Sequence, residues 1–238
     1  SNGSFSQEGA EEITNGDFSN GSTGWSSNGT LTESNNIANI TTASSTTVYI
    51  RQNDVYEFGK SYKLTFTAKV DNLTEFELYV GSTNVYISTG IIPTQTTDFQ
   101  EYTFYFQADT AGGMNLLLRQ SMVANSSIEY SEISVREVGQ DWSLGGSGAN
   151  AATIGSNSAT ITSVDGNSYI QQNSVLTNGK NYKISYEILS SSGSSVLKLI
   201  SSLGLATIPT TVGTHTVYGT AVSTTFYIER LTNGVNAT

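Results

Sequence analysis

The sequence contains no cysteine. Disulfides, thiolate metal centres and cysteine nucleophiles are therefore excluded, and each folded unit has to rest on an apolar core of its own. Proline occurs only at Pro93 and Pro209, so the chain is no extended polyproline stalk. No apolar run approaches the roughly 20 residues that cross a bilayer as a helix, and membrane insertion is not expected. Positive charge is scarce: 10 Lys and Arg stand against 20 Asp and Glu. Most of the acid precedes residue 139, and nowhere do Lys and Arg cluster. Such a surface repels a phosphate backbone, so nucleic acid is not an expected partner. The single histidine, His215, sits in a Thr/Val run with no Ser/Asp constellation around it, which argues for a plain strand residue rather than a general base.

What is present is the composition of pleated sheet. Ser, Thr, Asn, Gly, Tyr and Val dominate, a mix that disfavours helices and suits strands joined by polar turns. Tyr62, Leu64, Phe66, Ala68 and Val70 alternate with Lys63, Thr65, Thr67 and Lys69. The same period of two runs through Phe76–Val80, Tyr102–Phe106 and Tyr182–Ile188, so one face of each strand meets a core and the other meets water. Asn15-Gly16-Asp17, Asn28-Gly29, Asp165-Gly166 and Asn178-Gly179 supply the turns. Many short half-buried strands and no helical stretch predict an all-β protein of antiparallel β-sandwiches.

The chain also repeats itself. Tyr49-Ile50-Arg51-Gln52-Asn53 returns as Tyr169-Ile170-Gln171-Gln172-Asn173, and Gly59-Lys60-Ser61-Tyr62-Lys63-Leu64 as Gly179-Lys180-Asn181-Tyr182-Lys183-Ile184. Gly24-Trp25-Ser26 matches Asp141-Trp142-Ser143, and Ile92-Pro93-Thr94 matches Ile208-Pro209-Thr210. A period of roughly 120 residues fits tandem globular domains rather than a solenoid. The expected organisation is an N-terminal tail over 1–10, a first sandwich over 11–138 and a second, smaller or incomplete one over 139–238. No Gly/Ser/Pro-rich spacer separates Val138 from Trp142, so a short boundary is expected near Gly139–Gln140. The second copy lacks a counterpart of the strand Glu129–Val138. Either the native polypeptide continues past Thr238, the expectation favoured here, or a neighbouring chain donates the strand. The tail Ser1–Ala10 is a poor donor, because Phe5 is its only large apolar residue.

Three motifs carry a family resemblance. The segment from Glu12 through Asn15-Gly16-Asp17-Phe18 to Gly24-Trp25 resembles the opening of the jelly-roll carbohydrate-binding modules of the xylan- and glucan-binding type. Gly59-Lys60-Ser61-Tyr62-Lys63-Leu64-Thr65-Phe66 resembles their Gly-Lys-x-Tyr strand, and Tyr130-Ser131-Glu132-Ile133-Ser134-Val135 their closing strand. The match spans most of residues 11–138. Degenerate relatives of these modules occur in bacteriophage tail and fibre proteins, and the direct run from Val135 into Trp142 looks like that version. The resemblance implies two tandem jelly-roll-like sandwiches and a non-enzymatic structural or adhesive part of an extracellular or virion fibre. Its implied partners are polysaccharide or cell-surface glycan, further copies of itself, or other virion and fibre subunits. The alternative is a genuine carbohydrate-binding module of a secreted polysaccharide-active or cell-surface protein. Many family members hold a structural calcium; here it would fall to Asp17, Glu129 and Glu132 of the first copy, although Ser131 and Glu132 replace the usual paired aspartates. No other cofactor is implied.

Trp25 and Trp142 occupy the same place in the repeat, which marks them as core plugs rather than sugar platforms. The glycan candidates are solvent-facing strand residues: Tyr79, Tyr86, Tyr105, Arg51, Gln52 and Arg119, with Tyr218 and Tyr227 in the second copy. Ordinary packing on a sheet surface accounts for the same residues. Gln52 and Gln172 repeat in register, which also fits a bond to buried backbone. Asn20, Asn28, Asn39, Asn72 and Asn125 begin Asn-x-Ser/Thr triplets, which a composition this rich in Asn, Ser and Thr produces by chance.

Overall fold

The computed structural model describes residues 3–80, 83–88, 95–108, 114–146, 150–192 and 196–230, with backbone alone at Leu73, Val80 and 83–88. The chain divides into two compact units, one of residues 9–137 and the other of residues 1–8 with 138–238. The first is thus inserted into the sequence of the second. Within the segment expected as a tail, Glu8–Glu11 form a strand, and the Phe5 ring packs 5.0 Å from Trp142 in the second unit.

The strands in and around the first unit are β1 (Glu8–Glu11), β2 (Ser26–Ser27), β3 (Thr30–Ser34), β4 (Ile37–Thr41), β5 (Thr46–Gln52), β6 (Ser61–Val80), β7 (Thr83–Ser88), β8 (Gln100–Gln107) and β9 (Leu116–Val138). Two of them are far longer than the rest. The first half of β6 pairs with β8 and its second half with β7; β9 pairs with β5 over Leu116–Met122 and with β4 over Ser127–Tyr130. Both fold back on themselves. Phe66 and Phe76 lie on one strand ten residues apart, about 33 Å if straight, yet their rings are 5.5 Å apart. Likewise the Tyr130 hydroxyl sits 3.3 Å from Gln120 Oε1. Each long strand therefore leaves one layer of the sandwich and enters the other. An asparagine with positive φ marks each corner, Asn72 at 54° and Asn125 at 61°, a conformation this side chain tolerates better than most.

Between the layers Phe66 contacts Phe76, Tyr102, Phe104 and Tyr130, with Ile40, Ile50, Leu64, Leu78, Leu116 and Leu118 fully buried around them. Trp25 closes one end. Its residue is 8 % exposed, its ring lies 5.5 Å from Phe18, and its Nε1 donates to the Asn15 carbonyl at 2.9 Å. Lys60 bridges Glu57 and Glu137 at 2.9 and 3.0 Å.

The second unit comprises β10 (Ser143–Gly145), β11 (Ala152–Gly155), β12 (Ser158–Ile161), β13 (Ser168–Gln172), β14 (Asn181–Ile188), β15 (Leu197–Leu199), α1 (Ile200–Leu203), β16 (Leu205–Ile208), β17 (Gly213–Thr220) and β18 (Phe226–Arg230). The turn α1 corrects the expectation of no helix; at four residues it is too short to imprint a helical period. Five strands form one sheet in the order β10-β13-β18-β15-β16, whereas β11–β12 and β14–β17 stand as separate two-stranded pieces. The repeat extends to pairing register. Gln52 opposes Leu116 as Gln172 opposes Phe226, and Ile50 opposes Leu118 as Ile170 opposes Ile228. The thin layer leaves its inner side chains half covered: Tyr182, Ile184, Tyr186 and Val217 are all partly exposed. Trp142, expected as a core plug, is itself only partly buried, between Phe5 and Phe226.

Trp25→Ala should destabilise the first unit by about 3–5 kcal/mol, the usual range for truncating a buried large aromatic. Trp142→Ala should lower the second unit's stability by less, because its ring is partly solvated already. Calorimetry of the intact chain checks both, and equal losses would contradict the difference in burial.

Candidate functional site

Strand alternation places the surface residues. In β5 the inward set is Val48, Ile50 and Gln52, so Tyr49 and Arg51 point out. In β9 Leu116, Leu118 and Gln120 point in, leaving Leu117 and Arg119 outside; in β6 Phe76 and Leu78 point in and Glu77 and Tyr79 out. The register sets Tyr49 opposite Arg119. Arg119 Nη1 donates to the Tyr79 hydroxyl and to Glu77 Oε2, both at 2.8 Å, and its guanidinium lies 5.4 Å from the Tyr79 ring centre. The Arg51 guanidinium lies 5.9 Å from the Tyr49 ring centre, and its Nε is buried without a hydrogen-bond partner. One outer face thus carries two phenol rings, two guanidinium groups and a carboxylate, all partly buried although they point away from the core. Flat apolar ring faces together with oriented donors and an acceptor are what a polyhydroxylated ligand requires.

Of the six residues expected to contact glycan, this face gathers Arg51, Arg119 and Tyr79. Gln52 does not join them. It is 6 % exposed and holds Thr14 by both amide atoms at 2.8 Å, accepting from its N–H and donating to its carbonyl. Adjacent strand residues point to opposite faces, so Arg51 and Gln52 could not both face solvent. Tyr105 is across from Lys63 on the outside of the other layer, among Thr65, Thr67, Thr103 and Glu101. The register puts Tyr86 opposite Leu78, but its side chain lies outside the described residues. Tyr49 and Glu77 belong to the face and were missed; the β5 and β6 alternation held the signal for both.

The calcium triad does not assemble. Asp17 Oδ1 accepts hydrogen bonds from the Ser19 amide and hydroxyl at 3.1 and 2.9 Å, which lower its pKa. Glu129 is 3.6 Å from Lys69 Nζ, and Glu132 is exposed on β9. No group of three or more His, Cys, Asp or Glu among the described residues converges on a metal position. His215 Nε2 is 2.6 Å from the Thr211 carbonyl oxygen and its ring 5.4 Å from Tyr186, a strand residue's surroundings.

The second unit carries its own ring pair on the corresponding face. Tyr169 and Tyr227 approach to 4.7 Å between centroids, tilted by 33°. Gly145 opposes Tyr169, and a Cβ there would fall 2.0 Å from Tyr169 Cζ. The missing side chain is what lets the ring lie across the strand. Burial, then the neighbouring Glu229 and Tyr169, pushes the Tyr227 phenol up to about 12. Tyr218, 68 % exposed, stands on the opposite layer.

The geometry defines a class, an all-β sandwich with a polar, tyrosine-bearing sheet face. Among solved structures the chain is similar to a protein described as "CBM4 structure and function", with 17 % identity and a TM-score of 0.42 over 52 % of this chain and 99 % of that one. It is also similar to the CBM22-1 xylan-binding domain of Paenibacillus barcinonensis Xyn10C, with 15 % identity and a TM-score of 0.43 over 56 % and 97 %. A third is a Stig cyclase, Fisc, from Fischerella sp. TAU, with 14 % identity and a TM-score of 0.43 over 55 % and 98 %. No family profile and no curated protein matches the chain.

Tyr186 and Tyr227 both titrate near 12 in the fold, against 10.0 for the free phenol. A raised acid pKa means the native state holds its proton longer than the unfolded one, so the associated stability is intact below pH 10 and lost as pH rises to about 12. Urea titrations across that window should show the second unit weakening, with a smaller slope in Tyr227→Phe. An unchanged slope in that variant would contradict the assignment.

Proposed function

We propose that the chain is a non-catalytic binding and scaffolding module of an extracellular assembly, and that the Tyr49–Arg51–Arg119–Glu77–Tyr79 face contacts polysaccharide or cell-surface glycan. The observation that carries this reading is the convergence of the two rings and two guanidinium groups on one partly sheltered face, with Arg51 Nε lacking a partner. Glycoside cleavage calls for two carboxyl groups facing each other about 5–10 Å apart across the sugar. Glu75 and Glu77 are instead neighbours on one strand, Glu77 is paired with Arg119, and the adjoining β9 presents Leu117, Arg119 and Ser121. No helix among the described residues is long and apolar enough to cross a membrane.

A second reading, a spacer in a virion fibre, is favoured by the opposite layer, whose outer face shows Lys63, Thr65, Thr67 and Thr103 with Tyr105 as its one described aromatic. A polysaccharide panel separates the two. Binding by the intact chain that falls at least about tenfold, or ~1.4 kcal/mol, in Tyr49→Ala and in Arg119→Ala, but not in Tyr105→Ala, supports the glycan face. An absence of binding to any polymer leaves the spacer.

A further inference from the structure

The two cations of the first unit's outer face are satisfied very differently. Arg119 is served from within the fold: its Nη1 holds Glu77 and the Tyr79 hydroxyl, both at 2.8 Å. Arg51 is not. Its guanidinium lies 5.9 Å from the Tyr49 ring centre and makes no hydrogen bond or ion pair among the described residues. Nε is sealed from solvent, while the terminal Nη groups are left as open donors. Partial burial strips water from a guanidinium, and without a counter-charge that loss goes uncompensated. Carboxylates are not scarce in this unit. Lys60 holds Glu57 and Glu137, Lys69 holds Glu129, and Arg136 holds Glu11.

The repeat shows that the sheet does not need a cation at this position. Arg51 opposes Leu117 as Gln171 opposes Tyr227, and Tyr49 opposes Arg119 as Tyr169 opposes Glu229. The second unit keeps the ring and the pairing register. It carries an amide in place of Arg51 and a carboxylate in place of Arg119. An uncharged side chain is therefore compatible with this place in the fold, and packing alone does not account for Arg51.

We propose that the ligand of this face is an acidic polysaccharide, and that Arg51 binds the carboxylate of a uronic acid unit through its two Nη groups. This inference rests on the glycan reading above and names its substrate class. The planar guanidinium fork matches the two oxygens of a carboxylate, and such charge-assisted bonds are roughly twice as strong as neutral ones. A neutral sugar hydroxyl accepts without cancelling the charge. The Tyr49 ring beside the guanidinium supplies the apolar contact for the sugar that carries the carboxylate. The chain's net charge of −10 repels a polyanion at long range, but at physiological salt that repulsion is largely screened beyond about 8 Å. The contact at Arg51 acts within that distance. The same net charge opposes unspecific capture of polyanions, so any such binding reports a local site.

Titration calorimetry of the intact chain at physiological ionic strength tests this. The probes are polygalacturonate, alginate and hyaluronan, the same polymers with their carboxylates reduced to primary alcohols, and dextran sulfate. At least one carboxylated polymer should bind, and its affinity should fall at least about tenfold on reduction. Arg51→Gln should lose the same factor on the carboxylated polymer and nothing on the reduced one. The reduced polymers need no variant, so that arm stands even if Arg51→Gln disturbs the sheet. Equal affinity for carboxylated and reduced polymers leaves the glycan face in place and overturns the uronate assignment. Preference for dextran sulfate over every carboxylated polymer does the same, and so does a loss on reduction that Arg51→Gln fails to reproduce. Binding of none of these polymers removes the glycan reading and this inference together.

Discussion

The first unit depends on two strands that change layer. Because β6 and β9 each contribute to both sheets, the layers are joined by continuous backbone at two corners, and the core between them is built largely from those two strands. Phe66 can meet Phe76, and Tyr130 can meet Gln120, only because Asn72 and Asn125 turn the chain. The corners also determine which residues reach the surface together. Arg119 lies before the β9 corner and Glu77 and Tyr79 after the β6 corner, so the polar face is assembled from halves of strands whose other halves lie in the opposite layer.

Alternation made the strands legible but not their continuity. Tyr62–Val70 and Phe76–Val80 read as separate runs of alternation, yet the structure joins them through Asp71-Asn72 into one strand, and it likewise carries Glu129–Val138 back without a break to Leu116. An asparagine in the left-handed region ends most strands; here it bends one without ending its pairing. The same alternation, applied strictly, separates Arg51 from Gln52 and brings Tyr49 to the surface. The calcium triad was less accessible to sequence reasoning, since whether Asp17, Glu129 and Glu132 meet depends on tertiary placement. Their hydrogen bonds and ion pairs lie elsewhere.

The two copies of the repeat bury matching residues unequally. With matched registers in the five-stranded layers, Ile170 is buried as Ile50 is, whereas Ile228, the equivalent of the fully buried Leu118, is only partly covered. On the other layer the first unit hides Tyr62, Leu64 and Phe66 almost completely, while their counterparts Tyr182, Ile184 and Tyr186 stay half exposed. The side chains are of similar size and hydrophobicity, so the difference lies in what packs against them: four rings surround Phe66, while Tyr186 borders an open groove beside Phe5.

The insertion of residues 9–137 within the other unit has a consequence for folding order. Phe5 and its partner Trp142 are far apart in sequence, and an unfolded connection of that length would cost on the order of 4 kcal/mol to close. Once β1 runs back along the end of β9, the chain enters and leaves the first unit side by side, and that cost has already been met. Loss of a first-unit core residue such as Phe66 would reopen that long loop, and so raise the entropic cost of the Phe5–Trp142 contact without changing either ring.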